Sequence, residues 1–208
     1  MLQIIHQKLK SWLFPSIVLI TIGFGWKYRW IAFIVPVVML LGIGSLLLQQ
    51  GRHFCGNYCP RGAFYDSFVQ PLSKKRKIPK FLRNKVFRWV VLILLFGLFL
   101  LQAARSPFTT AHFGLMFWMM CTVTTVLGII LGIFFSHRTW CAFCPIGTLV
   151  SSIGKDRHAL IIDKNTCVNC KLCGKVCPLN IHIKSSTKDC IKCGKCIAVC
   201  PKKSLGFR

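Results

Sequence analysis

Two cysteine-rich stretches near the end of the chain, CVNCKLCGKVCP at residues 167–178 and CIKCGKCIAVCP at residues 190–201, share one spacing. Each reads C-x2-C-x2-C-x3-C-P, and the second begins 23 positions after the first (190 − 167 = 23). A structural zinc site usually has two ligand pairs separated by a long spacer. Three cysteines at x2 spacing and a fourth at x3 fit that pattern poorly and are typical of ligands to four-iron, four-sulfur (4Fe–4S) clusters.

The two stretches resemble the bacterial two-cluster ferredoxins over about residues 160 to 206. In that family the fourth cysteine of each run ligates the other cluster, and the resemblance implies the same crossed pattern here. One cluster is then expected on Cys167, Cys170, Cys173 and Cys200, and the second on Cys190, Cys193, Cys196 and Cys177. Gly174 and Gly194 are expected to form tight turns that direct backbone N–H groups toward the clusters.

The rest of the chain is apolar and basic. Hydrophobic residues make up 54% of the 208 residues, and the formal net charge is +24. A nucleic-acid-binding protein would place such charge on one surface, but here the basic residues lie between long apolar segments and around the cysteine runs. A membrane protein with positively charged cytoplasmic loops explains this distribution, and no nucleic-acid partner is expected.

Four apolar segments are candidate membrane spans: Trp12–Trp26, Trp30–Leu48, Trp89–Ala104 and Phe113–Phe135. A spanning helix needs about 20 apolar residues. The third segment approaches that length if its flanking arginines snorkel to the interface. The first is the weakest, because it is short and contains Pro15, and a re-entrant or interfacial segment is the alternative.

The charges between these segments predict the topology. The N-terminus, the loop 49–88 and the tail 136–208 contain 25 lysines and arginines together, whereas the other two loops contain three. This bias places both termini and the tail in the cytoplasm, in the inner membrane of a prokaryote. The first segment lacks a small-residue cleavage site and is interpreted as an uncleaved helix. Because cytoplasmic thiols stay reduced, disulfides are not expected for most of the 13 cysteines.

The predicted fold class is therefore an all-α membrane bundle with a small α+β tail. Residues 1–153 are expected to form four transmembrane helices with two Cys-Pro motifs, and residues 154–208 the two-cluster ferredoxin domain. The two motifs, GRHFCGNYCPRGAFYD at residues 51–66 (elbow 1) and SHRTWCAFCPIGTLVS at residues 136–151 (elbow 2), each follow the second helix of a predicted pair. The membrane half thus has the pattern of two tandem hairpins with both elbows on the cytoplasmic face.

CGNYCPRG and WCAFCPIG, followed by a two-cluster ferredoxin tail, resemble the polyferredoxin-type membrane proteins of quinol-dehydrogenase systems. That family includes the membrane iron–sulfur subunit of periplasmic nitrate reductase systems, the nitrous oxide reductase regulator and an oxidase-assembly protein proposed to reduce copper. The resemblance implies electron transfer, partner subunits of a redox complex and a quinol or quinone. One departure is that elbow 2 reads CxxCP where elbow 1 reads CxxxCP, which leaves their geometric equivalence open.

The elbows bring four further cysteines to one predicted face: Cys55, Cys59, Cys141 and Cys144. Four thiols match the ligand count of a cubane, so a third 4Fe–4S cluster is the hypothesis. A second interpretation is two dithiol pairs that bind copper, because soft thiolates suit Cu(I). The third is that the prolines and glycines only turn the chain out of the membrane.

Other candidate residues are better explained by structural roles. His53 and His137 precede the elbows, and each is either an interfacial polar group or a ligand to a cluster or quinone. His112 is expected in a polar loop, with docking of a quinol headgroup or an extracytoplasmic redox partner as the alternative, and Cys121 is expected in packing. The residues 116–120 (MFWMM) are expected in membrane packing, with a quinone pocket or copper path as the alternative. The basic run 73–80 is assigned to topology and contact with anionic lipid.

The function predicted from the sequence is membrane electron transfer between a quinol or other redox partner and cytoplasmic 4Fe–4S clusters, within a larger complex. No catalytic residue is identified, and the direction of electron flow stays open, since cluster potentials range from about −700 to +450 mV. Two alternatives remain. One is an assembly factor that reduces copper or another metal for a terminal reductase or oxidase, and the other is a redox-sensing membrane anchor or regulator.

Overall fold

A computed structural model describes residues 2–45, 51–105, 109–154, 159–163, 165–181 and 188–207, with side chains from residue 12 onward. The chain is mostly helical and ends in a small α+β unit. The helices are α1 Leu2–Phe24, α2 Ile34–Gly44, α3 His53–Asn57, α4 Pro60–Phe64, α5 Lys85–Arg105, α6 Thr110–Phe134, α7 Thr139–Phe143, α8 Pro145–Ile153, α9 Leu172–Val176 and α10 Lys195–Ala198. The strands are β1 Leu160–Ile162 and β2 Leu205–Phe207.

Helices α5 and α6 are, within the described residues, the two that are long and apolar enough to cross a membrane, judged by length and composition. At about 1.5 Å per residue they extend roughly 32 and 38 Å, the thickness of a bilayer's hydrocarbon core or more. Only 11% and 22% of their most apolar windows are buried inside the protein. Because most of their leucine, isoleucine and valine side chains face outward, these helices differ from the core helices of water-soluble domains.

The first predicted pair of spans is less regular. Residues 12–24 of the segment Trp12–Trp26 lie in α1, which begins ten residues before that segment and includes Pro15 in its interior. The segment Trp30–Leu48 is divided between a short 3-10 helix, Arg29–Phe33, and α2, and its residues 46–48 lie outside the described part of the chain. The apolar helical stretches of this pair are shorter than the length typical of a membrane span.

The turn between α1 and α2 packs against the first half of α6. Trp118 of α6 donates its indole N–H to the carbonyl of Ile22 at 3.0 Å, and the rings of Phe33 and Phe117 lie 6.2 Å apart. Gly114 of α6 lies so close to the backbone of Arg29 that a Cβ atom would clash. Small residues at helix contacts are how membrane helices approach closely.

The tail is a two-stranded antiparallel ribbon that pairs Leu160 with Phe207, together with helices α9 and α10. Leu160, Leu205 and Cys196 form a small buried cluster under this ribbon. A larger buried core includes Phe64 and Trp140 of the elbows. The same larger core also contains three tail residues, Leu179, Ile181 and Ile191. The tail and the elbows are therefore joined by continuous apolar packing.

Candidate metal centre

The two elbows fold in the same way. In each, a short helix (α3 or α7) is followed by an extended cysteine, Cys59 with ψ 114° or Cys144 with ψ 133°, and then by a proline that starts α4 or α8. A residue before proline is disfavoured in the helical region, and proline itself is favoured at the first helical position, so the Cys-Pro pair dictates this break. Elbow 1 absorbs its extra residue at Tyr58, since the N–H groups of both Tyr58 and Cys59 donate to the Phe54 carbonyl.

A buried arginine from each elbow reaches across to the other. Arg52 and Arg138 lie three residues before Cys55 and Cys141 and are 1% and 2% exposed. Arg52 donates to the Cys141 carbonyl, and Arg138 donates to the Cys55 carbonyl at 3.0 Å. This reciprocal exchange fixes the first cysteine of each elbow relative to the other elbow.

The glycine that follows each Cys-Pro pair makes room for this exchange. A Cβ atom on Gly62 would collide with the guanidinium of Arg138, and one on Gly147 would collide with that of Arg52. The Cys-Pro-x-Gly pattern is thus explained residue by residue. The cysteine is extended, the proline starts the helix, and the glycine leaves space for the arginine of the other elbow.

Both arginines are paired with carboxylates. Arg138 binds Asp66 through two hydrogen bonds of 3.0 and 2.6 Å. Burial disfavours the charged carboxylate, but hydrogen bonds from His137 and Arg138 outweigh it and hold the pKa of Asp66 well below its usual range. Arg52 lies 3.8 Å from Asp189, a tail residue next to Cys190.

Asp189 is in turn bound by Arg88 of α5 at 2.8 Å. Arg88 is buried and also donates to Ser151 of α8 at 2.7 Å. The expectation that Arg88 snorkels to the membrane interface is therefore wrong, because the carboxylate from the tail holds it inside the protein.

The four elbow cysteines are partly buried free thiols, and the charges of Cys141 and Cys144 act on both Cys55 and Cys59. Burial raises the pKa of Cys55 and Cys141, although Arg52 and Arg138 oppose the effect. Burial, with the neighbouring thiolates of Cys55 and Cys141, raises the pKa of Cys59 to about 12. Such thiols lose their protons only when they bind a metal cation, and the iron ions of a cluster are cations of this kind.

Three buried nitrogen atoms around these thiols have no hydrogen-bond partner: Arg52 Nε, Arg61 Nη2 and Trp140 Nε1. The guanidinium of Arg61 lies 4.8 Å from the centre of the Trp140 ring, and Cys144 is among the charges that raise the pKa of Arg61 against the opposing effect of burial. Buried donors without partners are rare and usually indicate a missing acceptor. The sulfides and thiolates of an anionic 4Fe–4S cluster are acceptors of this kind, so the residues present fit that group.

A single metal ion fits less well. Among the described residues, including the tail cysteines, no three His, Cys, Asp or Glu side chains come together as they would around one ion. One zinc ion at about 2.3 Å from each sulfur needs four thiols in a tight group, whereas a four-iron cluster holds them farther apart.

Several tail cysteines surround the small core under the ribbon. Cys196 lies near Cys190, Cys193 and Cys177, and burial with these neighbouring charges raises its pKa to about 11. Cys173, Cys190 and Cys200 pack against the small core, which contains Cys196. These neighbours are compatible with the crossed assignment, and the ligand sets remain a prediction.

The tight turns of the two runs lie at equivalent positions. Gly194 has a φ of +73° directly before α10, as expected for a turn glycine. In the first run the left-handed residue is Lys171, with a φ of +59° directly before α9. Gly174 instead lies inside α9, so the tight turn expected there is wrong.

The second cysteine run lies against elbow 1. Asn57 donates to the Lys192 carbonyl at 3.2 Å, and Gly56 lies so close to the Ile191 carbonyl that a Cβ atom would clash. From elbow 2, Ser136 donates to the Pro178 carbonyl at 2.5 Å. The elbow cysteines Cys55, Cys141 and Cys144 accordingly share one packed core with the tail cysteines Cys177 and Cys193.

The remaining candidates are placed as follows. The His53 ring lies 5.9 Å from that of Tyr58, and His137 Nε2 lies 3.1 Å from Asp66. Cys121 contacts Thr125 within α6. The run 73–80 packs along the end of α6, where the N–H groups of Lys74 and Arg76 donate to the carbonyls of Ile133 and Phe135. This backbone pairing was not anticipated from the charges.

His112 lies in the first turn of α6 and not in a loop, so the expectation of a loop is wrong. It comes together with part of the methionine cluster at the other end of α5 and α6. A cavity of about 250 Å³ lies there. It is lined by Gln102, Arg105, His112, Leu115, Met116 and Met119. The sequence suggested these residues separately, but not that they share one cavity.

Sequence reasoning missed the arginine and aspartate framework. The sequence pattern includes a basic residue before the first cysteine of each elbow, but it does not predict the contacts of Arg52, Arg61 and Arg138. The available signals were the equal distance of Arg52 and Arg138 from the first cysteine of their elbows, and the presence of only four acidic residues in the chain.

Comparison with known proteins agrees with this site. Two family models, both described as "4Fe-4S binding domain", match the chain. One matches twice, at residues 31–79 and 111–161, which cover α2 with elbow 1 and α6 with elbow 2, and the other matches residues 183–205. No solved structure matches. The fold and the site therefore define an iron–sulfur electron-transfer protein that binds 4Fe–4S clusters.

Among curated proteins, the chain is 34% and 31% identical to two uncharacterised proteins of Methanocaldococcus jannaschii, over 78% and 82% of this chain and 66% and 78% of the relatives. It is 29% identical to the ferredoxin-type protein NapH of Haemophilus influenzae, over 74% of this chain and 61% of NapH. The chain thus spans about two thirds of the length of the first Methanocaldococcus jannaschii relative and less than two thirds of the length of NapH. It belongs to the polyferredoxin-type membrane iron–sulfur proteins, as the elbows and tail predicted.

Proposed function

We propose that this protein is an integral-membrane electron carrier with four spanning helices in two tandem hairpins and both termini in the cytoplasm. The outward apolar surface of α5 and α6 supports membrane insertion. Exposed tryptophans at the ends of the shorter pair, Trp12, Trp26 and Trp30, suit the bilayer interface. The 25 to 3 division of basic residues orients the elbows and tail toward the cytoplasm.

In this proposal the chain holds three 4Fe–4S clusters, each of which accepts or releases one electron. The elbow cluster is bound by Cys55, Cys59, Cys141 and Cys144. The inner tail cluster is bound by Cys177, Cys190, Cys193 and Cys196, and the outer tail cluster by Cys167, Cys170, Cys173 and Cys200. Arg52, Arg61 and Trp140 donate to the elbow cluster through the nitrogen atoms that otherwise lack partners.

The observation that carries the proposal is the shared core of Cys55, Cys141 and Cys144 with Cys177 and Cys193. It supports a relay in the order elbow cluster, inner tail cluster, outer tail cluster. The elbow end faces the membrane, where a quinol or another membrane redox partner exchanges electrons, and the outer end faces the cytoplasm. The similarity to NapH supports a place in a larger redox complex.

Iron and sulfide quantitation tests the cluster count. Three clusters require about twelve iron atoms per chain, and Cys55→Ala or Cys141→Ala should reduce this to about eight. Cys121→Ala is the matched control, since Cys121 belongs to none of the three ligand sets, and it should leave the iron content unchanged. Eight iron atoms in the unaltered protein, with no loss in the elbow variants, would contradict the elbow cluster.

Potentiometric EPR on the purified protein tests the redox partner. Reduction of the clusters by a quinol, or their reoxidation by a quinone, supports the relay.

One observation favours a second function, the reduction of a metal such as copper. The cavity at the far end of α5 and α6 contains His112, Met116 and Met119, whose imidazole and thioether groups suit Cu(I). Reoxidation of the reduced protein by Cu(II), without dependence on quinone, would favour this alternative.

A further inference from the structure

The loops of the two cysteine runs have similar turns but opposite surroundings. In the second run, Ile191 and Lys192 are 3% and 4% exposed, because this loop packs on elbow 1. At the equivalent positions of the first run, Val168 is 60% exposed and Asn169 is exposed. The inner tail cluster is therefore covered by the membrane half, while the loop of the outer tail cluster is open to solvent.

The open loop belongs to a basic surface with apolar side chains at its centre. We define this outer face by exposed residues that surround the proposed outer-cluster ligands. They are Val168, Cys170, Lys171, Leu172, Lys175, Lys202 and Lys203. Lys202 and Lys203 follow Cys200, which packs, like Cys173, against the small core under the ribbon. An exposed ligand loop with flanking apolar groups is a surface through which an electron can leave or enter.

The charge of the outer face is not neutralised within the described tail. Asp163 is the nearby acid, and its carboxylate accepts hydrogen bonds from the Asn165 N–H at 3.0 Å and the Thr166 hydroxyl at 2.9 Å. Asp189 lies at the elbow side, where it pairs with Arg88 and Arg52. Four lysines thus face solvent around one cluster.

The outer face is built from residues other than those that attach the tail to the elbows. The hydrogen bonds between the elbows and the tail described above come from residues 178–192, in the connection between the two runs and in the second run. The Lys195 side chain adds an ion pair with Asp66 at 3.5 Å. A basic, solvent-exposed surface that takes no part in this attachment is free to bind a soluble protein.

We propose that the outer face docks a soluble electron-carrier protein whose own docking surface is acidic. This inference rests on the proposed relay and names its cytoplasmic partner. Opposite charges steer such a carrier to the cluster and increase the association rate, and the apolar side chains of Val168 and Leu172 are buried on contact. One electron passes from the reduced carrier to the outer cluster, so that the carrier is oxidised and the cluster reduced by one electron, with no transfer of atoms.

The test uses the full chain with its clusters in lipid nanodiscs, and a dithionite-reduced acidic bacterial two-cluster ferredoxin as the probe. Stopped-flow absorbance gives the second-order rate of cluster reduction. Lys171→Glu/Lys175→Glu should lower this rate about tenfold or more at low ionic strength, and the difference should disappear at high salt. Lys75→Glu/Lys77→Glu changes the charge equally at exposed sites of the central loop and should stay within about twofold of the unaltered protein.

Equal losses in both double variants, or a loss that salt does not remove, would overturn the docking site. The reaction is repeated in nanodiscs with and without phosphatidylglycerol, and a defect confined to the anionic discs would assign the outer face to lipid instead. Cluster content is measured first by EPR in every variant, with Lys171→Gln/Lys175→Gln as a milder pair. If the unaltered protein lacks the clusters or does not pass electrons between them, the relay fails; if it does both and the variants react normally, only the docking site fails.

Discussion

Elbow 1 and elbow 2 have the same backbone plan, yet three differences between them bear on the site. After the first cysteine, elbow 1 has Gly56 where elbow 2 has Ala142. After the proline, elbow 1 has Arg61 where elbow 2 has Ile146. The shared features, extended cysteines and exchanged arginines, hold four thiols together.

The third difference is the origin of the acid. Arg138 is neutralised by Asp66, which belongs to elbow 1 itself, whereas Arg52 is paired with Asp189 from the tail. Each difference gives elbow 1 or its arginine a specific connection that its counterpart lacks. The features that the two elbows share form the proposed cluster site. The features in which they differ bind the tail, through Gly56 and Asp189, and place the charge of Arg61 on one side of the site.

The largest effect should come from the arginines. Arg138→Gln removes both short bonds to Asp66 and leaves that carboxylate poorly paired, so we expect a loss of about 3–5 kcal/mol in unfolding free energy. Arg52→Gln should cost less, about 1–3 kcal/mol, because Asp189 keeps its 2.8 Å bond to Arg88. Thermal unfolding in detergent measures both. Equal losses would mean that the different carboxylate partners do not matter.

The next effect tests the symmetric feature. Gly62→Ala and Gly147→Ala each push a Cβ atom into the opposite arginine, and we expect similar losses of about 1–3 kcal/mol together with reduced iron at the elbow site. Gly97→Ala in α5 is the matched control, because no atom lies within 4 Å of its Cβ position. Iron content and thermal unfolding are the measurements. A large difference between the two elbow variants would show that the exchange is not reciprocal.

A smaller effect concerns attachment of the tail. Gly56→Ala forces the loop at Ile191 away from elbow 1, and we expect electron transfer between the elbow and inner tail clusters to slow about tenfold, equivalent to about 1.4 kcal/mol of barrier. Iron content should stay near that of the unaltered protein. Rapid-freeze EPR after partial reduction follows each cluster separately. Unchanged transfer, with all clusters present, would remove the contact at Gly56 from the relay.

The smallest effect should be on the reduction potential of the elbow cluster. Arg61→Gln removes a buried positive charge near Cys144 and should shift the elbow cluster to a more negative potential, by tens of millivolts, while both tail clusters keep theirs. Arg83→Gln is the control, since Arg83 contacts the tail at Asn180 rather than the elbow thiols. Potentiometric EPR separates the three signals. A shift of all clusters together would indicate a general structural change instead.

The sequence predicted what depends on local spacing. Eight tail cysteines, the Cys-Pro breaks and the long helices around Trp89 and Phe113 follow from neighbouring residues alone. The exchange between Arg52 and Arg138 joins positions 86 residues apart (138 − 52 = 86), and it becomes visible only when the two elbows are placed face to face. The break of the second span near Phe33 was not predicted either, although Pro36 lies three residues after Phe33 and proline is a signal for such a break.

The core that runs from the elbows into the tail has a consequence for dividing the chain. Composition changes near residue 154, which makes this an inviting place to separate a soluble iron–sulfur fragment from a membrane fragment. A cut there would leave the apolar side chains of Leu179, Ile181 and Ile191 without their partners Phe64 and Trp140. We expect the released tail to aggregate, or to retain its clusters poorly, unless those three positions are first replaced by polar residues.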